Sequence, residues 1–361
     1  MQSNGACRRL ATPRLYLDHA ATTPLHPAAR AAMAQALDRW ANPSSPHAEG
    51  RAARAALEEA RARIGRALGH DGAILFTSGA TEAIEIALRR AKAAGRFVSA
   101  VEHDAVRRAA PDAVVLPVDG DGLVGPLPAA ARGALVAVQA VNNETGVIQP
   151  LERIGADVRA GGGLLLADCA QSGAKLALPD ADFIALSAHK LGGPPGIGAL
   201  LVRDLATLAP SGGQEQGYRG GTENLPAVLG FAAAIEAGFD WIGRAAALRA
   251  RLDAAIVATG GIVVAGGCER LPTIASYRMP GVAATAQLIR FDMAGIAVSA
   301  GSACSSGSLK PSHVLAAMGW DEASAREVVR ISFGRDTSEA DIDRVAAEWR
   351  TIATAARARA A

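Results

Sequence analysis

Cysteine is scarce in this chain. There are four, Cys7, Cys169, Cys268 and Cys304, and no two form a C-x-x-C pair. That excludes a structural zinc site of the usual spacing and gives no disulfide framework. Charge of one sign is lacking too: 37 Lys and Arg against 35 Asp and Glu leave a net +2. Nothing in that balance argues for nucleic acid or an anionic membrane. Aromatics make up 4% of a sequence that is 50% apolar, chiefly Ala, Val, Leu and Ile, which is a globular composition and not a disordered one. No apolar run approaches the roughly 20 residues needed to span a bilayer. The stretch from Met1 to Arg14 is polar and lacks a signal-peptide apolar region, so a cytoplasmic protein is expected. Absent as well are H-E-x-x-H, a P-loop, a G-x-G-x-x-G opening a βαβ unit, and a G-x-S-x-G elbow with a later histidine.

What is present is an alternation of short apolar runs with helix-period segments from about Ala20 to Gly243, the pattern of a mostly parallel α/β sheet. At 361 residues the chain suggests about two domains. Ala52, Ala53, Ala56, Leu57, Ala60, Ile64 and Ala67 recur at three- and four-residue spacing and predict a helix over 48–68. Strands are expected over 73–76, 96–101, 134–141, 164–167 and 183–186, and an antiparallel one over 198–202. From about Ala245 the pattern changes to a helix over 241–259 and short strands over 262–265, 273–277, 297–299 and 329–333. The expected division is a large α/β domain over 18–245 and a smaller α+β domain built from 1–17 and 246–361.

Five of the predicted strands run directly into polar residues: Thr77-Ser78-Gly79, Glu102-His103, Asn142-Asn143-Glu144, Asp168 and Ser187-Ala188-His189-Lys190. In an open α/β sheet that edge is where ligands bind. Lys190 and Asp168, ending neighbouring apolar runs, are the pair a pyridoxal 5′-phosphate (PLP) enzyme needs. A lysine amine forms the Schiff base, and a carboxylate keeps the pyridine nitrogen protonated. Alone, such a lysine is a solvated surface group and such an aspartate a turn cap; their common placement changes the reading. Ala80 and Thr81 open a helix whose amides suit a phosphate, with a simple cap as the alternative. Ser187 and His189 add two donors to the same place. His103 is a candidate ring-stacking and proton-exchanging group, or a structural histidine. Gln171 could donate to a ring oxygen. Asn143 and Arg330 could hold a substrate carboxylate, although a structural Asp could equally partner the arginine. Cys304 lies in Ser299-Ala300-Gly301-Ser302-Ala303-Cys304-Ser305-Ser306, with little bulk to bury it, and an exposed thiol becomes a nucleophile once deprotonated. Cys169 reads as a small buried hydrophobe.

In order and spacing these motifs resemble the cysteine desulfurases of the NifS/IscS type, in the class V aminotransferase group of fold-type I PLP enzymes. The resemblance runs from about Leu15 to Thr337. It includes Asp18-His19-Ala20-Ala21-Thr22-Thr23-Pro24, Thr77-Ser78-Gly79-Ala80-Thr81-Glu82, Asn142-Asn143-Glu144-Thr145-Gly146, Asp168-Cys169-Ala170-Gln171, His189-Lys190, Arg219-Gly220-Gly221-Thr222 and Gly301-Ser302-Ala303-Cys304. It implies a fold-type I transferase, with a mostly parallel seven-stranded sheet, flanking helices and a smaller α+β domain. Lys190 carries PLP, Asp168 contacts its ring nitrogen, Gln171 its ring oxygen, and His103 stacks on it. Thr81, Ser187 and His189 hold the phosphate, with Thr222 from the second subunit of a homodimer. Asn143 and Arg330 bind the carboxylate of L-cysteine. Cys304 takes the substrate sulfur as a persulfide, alanine leaves, and an acceptor protein receives the sulfur for iron–sulfur cluster or thio-cofactor biosynthesis. The chain is shorter than typical members at its C-terminus, which leaves the acceptor open. The competing readings are another class V aminotransferase or β-lyase, including a selenocysteine lyase, with Cys304 incidental, and a non-catalytic sulfur relay.

Overall fold

The computed structural model describes residues 14–38, 40–300 and 311–360. Strand β1 (Leu15–Tyr16) opens the described chain. Seven strands follow: β2 (Ala73–Thr77), β3 (Arg96–Ser99), β4 (Val114–Leu116), β5 (Leu135–Gln139), β6 (Leu164–Asp168), β7 (Phe183–Ser187) and β8 (Gly198–Val202). They form one sheet in the order β2-β8-β7-β6-β5-β3-β4. Only β8 runs against its neighbours, β2 and β7, as expected from the sequence. The central strands are near-continuous apolar runs because helices cover both faces. Val136, Val138, Leu165, Ala167, Ile184 and Leu186 point into one core, and Leu135, Ala137, Leu166, Phe183 and Ala185 into the other. This is the fold-type I architecture, an α/β body around a mostly parallel sheet.

The helices are α1 (Pro27–Leu37), α2 (Ala48–Leu68), α3 (Ala80–Arg90), α4 (Asp104–Ala109), α5 (Leu151–Ala160), α6 (Leu225–Glu236), α7 (Ile242–Val257), α8 (Ala284–Met293), α9 (His313–Ala317), α10 (Glu322–Ala325) and α11 (Glu339–Ala360). Helix α2 has the predicted bounds. His47 Nδ1 accepts the Gly50 amide at its start, and Gly69, at φ 64°, ends it in the left-handed conformation that glycine adopts at least cost. Its Leu57, Ala60 and Ile64 pack under the sheet against Phe231 of α6. None of the helices among the described residues is long and apolar enough to cross a membrane.

Several strand ends differ from the sequence expectation, each for a local reason. Strand β3 stops at Ser99 and not at 101, because the Ser99 hydroxyl accepts the Val101 amide and turns the chain. Strand β5 stops at Gln139, whose amide donates to Glu102 Oε1 at 2.8 Å. Strand β6 runs one residue further, so Asp168 itself pairs with Gln139 and Ala185. Strand β4 was not anticipated: it is three residues long, and Val114 and Val115 are exposed on this outer strand.

Beyond α6 the strands are β9 (Ile262–Val263), β10 (Ile274–Arg278), β11 (Ile296–Ala297) and β12 (Val328–Ser332). Strands β12-β10-β9 form an antiparallel sheet, and β1 pairs parallel with β11. Strand β9 is shorter than expected, since Ala265 sits at φ 49°. The expected strands over 273–277, 297–299 and 329–333 are each shifted by one residue or more. Their core is lined by Leu15, Leu17, Leu252, Tyr277, Phe291, Ile331 and Trp349.

The segment after β1 joins the two sets of strands. Asp18 bridges to Ser332, the Ala20 amide donates to Ser332 Oγ at 2.9 Å, and the Thr23 amide donates to His189 O at 2.8 Å. Gly334 makes this crossing possible: a Cβ there would lie 2.0 Å from Cε1 of the His19 ring.

Candidate active site

The carboxyl ends of β2, β3, β5, β6 and β7 open onto one cavity of about 800 Å³. Ala80, Thr81, His103, Asn143, Asp168, Gln171, Ser187, His189, Lys190 and Arg330 all line it. Thr222 does not; it is exposed and lies outside its own chain's cavity. Cys304 falls outside the described residues.

Lys190 ends a short turn after β7, and its Nζ donates to the carbonyls of Ala20 (2.5 Å) and Ala21 (2.7 Å). Burial lowers the amine to about 8, Arg330 adds to the effect, and Asp18 and Asp168 oppose it. Asp168 is 7% exposed. Its Oδ1 accepts the Ala170 amide at 2.9 Å, and among the described residues no Lys or Arg pairs with it. Burial raises its pKa, opposed by that amide, His103 and Lys190. A buried carboxylate short of a cation is a seat for a protonated ring nitrogen.

His103 Nδ1 accepts the Ala105 amide at 3.1 Å, so the neutral ring carries its proton on Nε2. Burial lowers its pKa, partly offset by Asp168. Gln171 Nε2 donates to Ala20 O at 2.9 Å and keeps a second N–H; its Oε1 is buried without a partner. At the other end of the cavity, α3 begins at Gly79 with no side-chain cap, leaving its first amides free for a ligand. His189 shares a hydrogen bond with Thr22 Oγ1 at 3.1 Å. Burial, then the Lys190 charge, lowers that imidazole to about 4, so it is a neutral donor near pH 7.

Arg330 is buried in β12. Its Nη2 pairs with Asp18 Oδ1 at 2.7 Å and Nη1 donates to Asn143 O at 3.0 Å, while Nε is buried without a partner. The structural Asp that the sequence left open is therefore present. The arginine is held rigid by it and still has a donor unspent. Beside it Glu144 accepts from Ser312 Oγ at 2.6 Å, and His313 Nε2 bonds the Glu102 carbonyl at 2.8 Å. Cys169, next to Asp168, is fully buried, and burial drives its thiol up to about 12.

Sequence reasoning quoted the motifs that hold Asp18, Ala20, Ala21, Thr22 and Glu144 but gave these five residues no individual role. The first four lie in the Asp18–Thr23 motif, whose partners are 167 to 312 residues away, so no local pattern could have assigned them. Taken together, the cavity offers an amine, a buried carboxylate, an imidazole, an uncapped helix start and a rigid guanidinium. It can hold a flat cationic heterocycle with a phosphate tail beside a small carboxylic acid.

The chain matches the aminotransferase class-V family over residues 15–345. It is 37% identical to a cysteine desulfurase of Cereibacter sphaeroides, over 92% of this chain and 94% of the other. It is also 37% identical to an IscS-like cysteine desulfurase of Mycobacterium tuberculosis, over 91% and 93% of the two chains. The solved NifS-like protein of Rickettsia africae superposes with a TM-score of 0.86 at 30% identity, over 94% of this chain and 99% of that one. SspA, solved in complex with cysteine, gives 0.75 at 30% identity over 88% and 98%. With this cavity at the heart of a sequence and fold so widely shared, the chain belongs to the class-V aminotransferase family, among its cysteine desulfurases of the NifS/IscS type.

Proposed function

We propose that this enzyme binds PLP in the cavity and removes sulfur from L-cysteine, giving L-alanine and a persulfide on Cys304. The observation that carries the reading is the convergence of Lys190, Asp168, His103 and Arg330 on one cavity. The class-V family is PLP-dependent, and the residues here suit that cofactor: Asp168 lacks a cation, Gln171 has an unused N–H and an orphaned oxygen, and the start of α3 lacks a cap. SspA, a relative by fold, was solved with cysteine, which supports the choice of substrate.

Lys190 would carry the cofactor, Asp168 would face its ring nitrogen, and Ala80, Thr81, Ser187 and His189 would hold its phosphate. Bound there, PLP supplies an electron sink for the bond broken at the substrate Cα. Arg330 and Asn143 orient the substrate carboxylate, and the Asp18 pair stops the guanidinium from swinging away. With substrate in the cavity, the Lys190 amine would act as the base for the Cα proton; its lowered pKa leaves a useful neutral fraction near pH 8. His103, whose Nδ1 is taken up by the Ala105 amide, would exchange the proton of the substrate thiol through Nε2. The Cys304 sulfur then forms an S–S bond as the substrate Cβ–S bond breaks. The bonding pair stays on Cβ, which is protonated. The sum is balanced: thiol plus cysteine gives persulfide plus alanine. A second thiol, on an acceptor protein or a reductant, takes the outer sulfur.

In this reading Thr222, exposed and outside its own cavity, would reach the phosphate of a second subunit in a homodimer. The direct test is to incubate purified protein with PLP, a thiol reductant and L-cysteine. Alanine and sulfide should appear in equal amounts. Faster turnover of another amino acid with no alanine from cysteine would favour the aminotransferase or lyase reading.

A further inference from the structure

Glu82 is an unexpected neighbour for a phosphate. It lies in the first turn of α3, one residue after Thr81, and its Oε2 accepts the Ser78 amide. A carboxylate there occupies a donor beside the cradle and sets a negative charge against an incoming dianion. Burial raises its pKa, but the Ser78 amide and Arg219 outweigh that and hold it below the usual carboxylate range. Glu82 is therefore ionised throughout the neutral range.

Arg219 answers it. Its Nε donates to Glu82 Oε1 at 3.1 Å, with the two side chains 19% and 29% exposed, so solvent screens the pair only in part. The segment that carries Arg219 is fixed in place. The Arg90 guanidinium donates to Tyr218 O at 2.8 Å, and Gln214 bridges to Arg219. Glu215, Gln216 and Gly217 stand in succession at φ 49°, 57° and 88°, a left-handed run that costs energy at the two non-glycine residues. What holds it is the buried Glu215 carboxylate, which accepts the Phe76 amide at 2.9 Å and Arg61 Nη1 at 2.7 Å. A strained, anchored segment thus delivers one guanidinium to one carboxylate at the edge of the cradle.

We propose that Arg219 is a positioning residue for the cofactor phosphate: it neutralises Glu82 and clamps its carboxylate on Ser78, so that the start of α3 meets the phosphate with that negative charge cancelled. The inference rests on reading Ala80 and Thr81, at the start of α3, as part of the phosphate cradle. It also ties that cradle to the segment bearing Thr222, three residues beyond Arg219.

The test uses apoprotein and two probes, inorganic phosphate followed by thermal shift and PLP followed by absorbance. Arg219→Met should weaken both about tenfold or more, the order expected for an uncompensated charge at a helix start. Glu82→Gln in the Arg219→Met background should restore most of the loss, because the offending charge is gone. Glu82→Gln alone, which does not depend on the methionine variant folding, should bind phosphate severalfold more tightly, since Arg219 then becomes a surplus cation. Wild-type affinity in Arg219→Met, no recovery in the double variant, or unchanged or weaker phosphate binding in Glu82→Gln would overturn the proposal. Failure of the wild-type apoprotein to take up PLP is a different result: it would count against the functional reading itself, whatever the order of the variants.

Discussion

Lys190→Ala should cut alanine release from L-cysteine by on the order of 10⁴-fold or more, the scale on which loss of a covalent catalytic group is felt. The purified variant should also lack the yellow colour of the lysine-bound cofactor. The expectation follows from position as much as from residue type. Among the described residues Lys190 Nζ is the only amine lining the cavity, and two backbone carbonyls hold it on a fixed line. The same surroundings predict how cofactor uptake depends on pH. Only the neutral amine attacks an aldehyde, and the amine titrates at about 8 instead of the ordinary 10.5. At pH 7 roughly 10% of it is neutral, against about 0.03% for an unperturbed lysine. Uptake of PLP by apoprotein should therefore accelerate as pH rises through about 8 and level off above it. A rate still climbing tenfold per pH unit at pH 9.5 would show the amine to be unperturbed.

Cys304→Ser should be the second large effect, lowering alanine and sulfide production by about 10³-fold or more while leaving intact the spectral change that L-cysteine causes on binding. In the proposed mechanism binding falls to Arg330, Asn143 and Lys190, which line the cavity and which this change does not touch, whereas the sulfur needs a thiol to receive it. Retained desulfuration would remove Cys304 from the mechanism. The persulfide can be trapped by alkylation and located by peptide mass. Of the two cysteines whose surroundings are described, Cys169 is closed to reagent by full burial and a thiol raised to about 12. Cys268 is partly buried, its thiol donating to Ala265 O at 3.4 Å and raised first by that burial. Neither competes easily with a free thiolate.

The sequence revealed the elements whose signals are local. Apolar runs closed by a polar residue marked β2, β5, β6 and β7, and regular spacing of Leu57, Ala60 and Ile64 marked α2 to the residue. The cavity followed, since a parallel sheet brings those strand ends together whatever the connections do. Three-residue β4, between a turn and a proline, carried too little periodicity to be seen. Side-chain capture of amides also escaped notice, as where Ser99 ends β3, because an alternating pattern does not encode which hydroxyl will intervene. The contacts that lock the site are long-range. Asp18 with Arg330, Thr22 with His189 and Arg219 with Glu82 join residues 312, 167 and 137 positions apart, and only the assembled fold shows which polar groups meet.

The pairing of β1 with β11 bears on how the chain is made. Every strand of the seven-stranded sheet lies between residues 73 and 202, so that body can begin to fold while the remainder is still on the ribosome. Leu15, by contrast, must wait for Ile296, and Asp18 for Arg330. Contacts of such separation form late. During synthesis the strand ends that carry Asp168 and Lys190 therefore take shape before the corner where Asp18 meets Arg330.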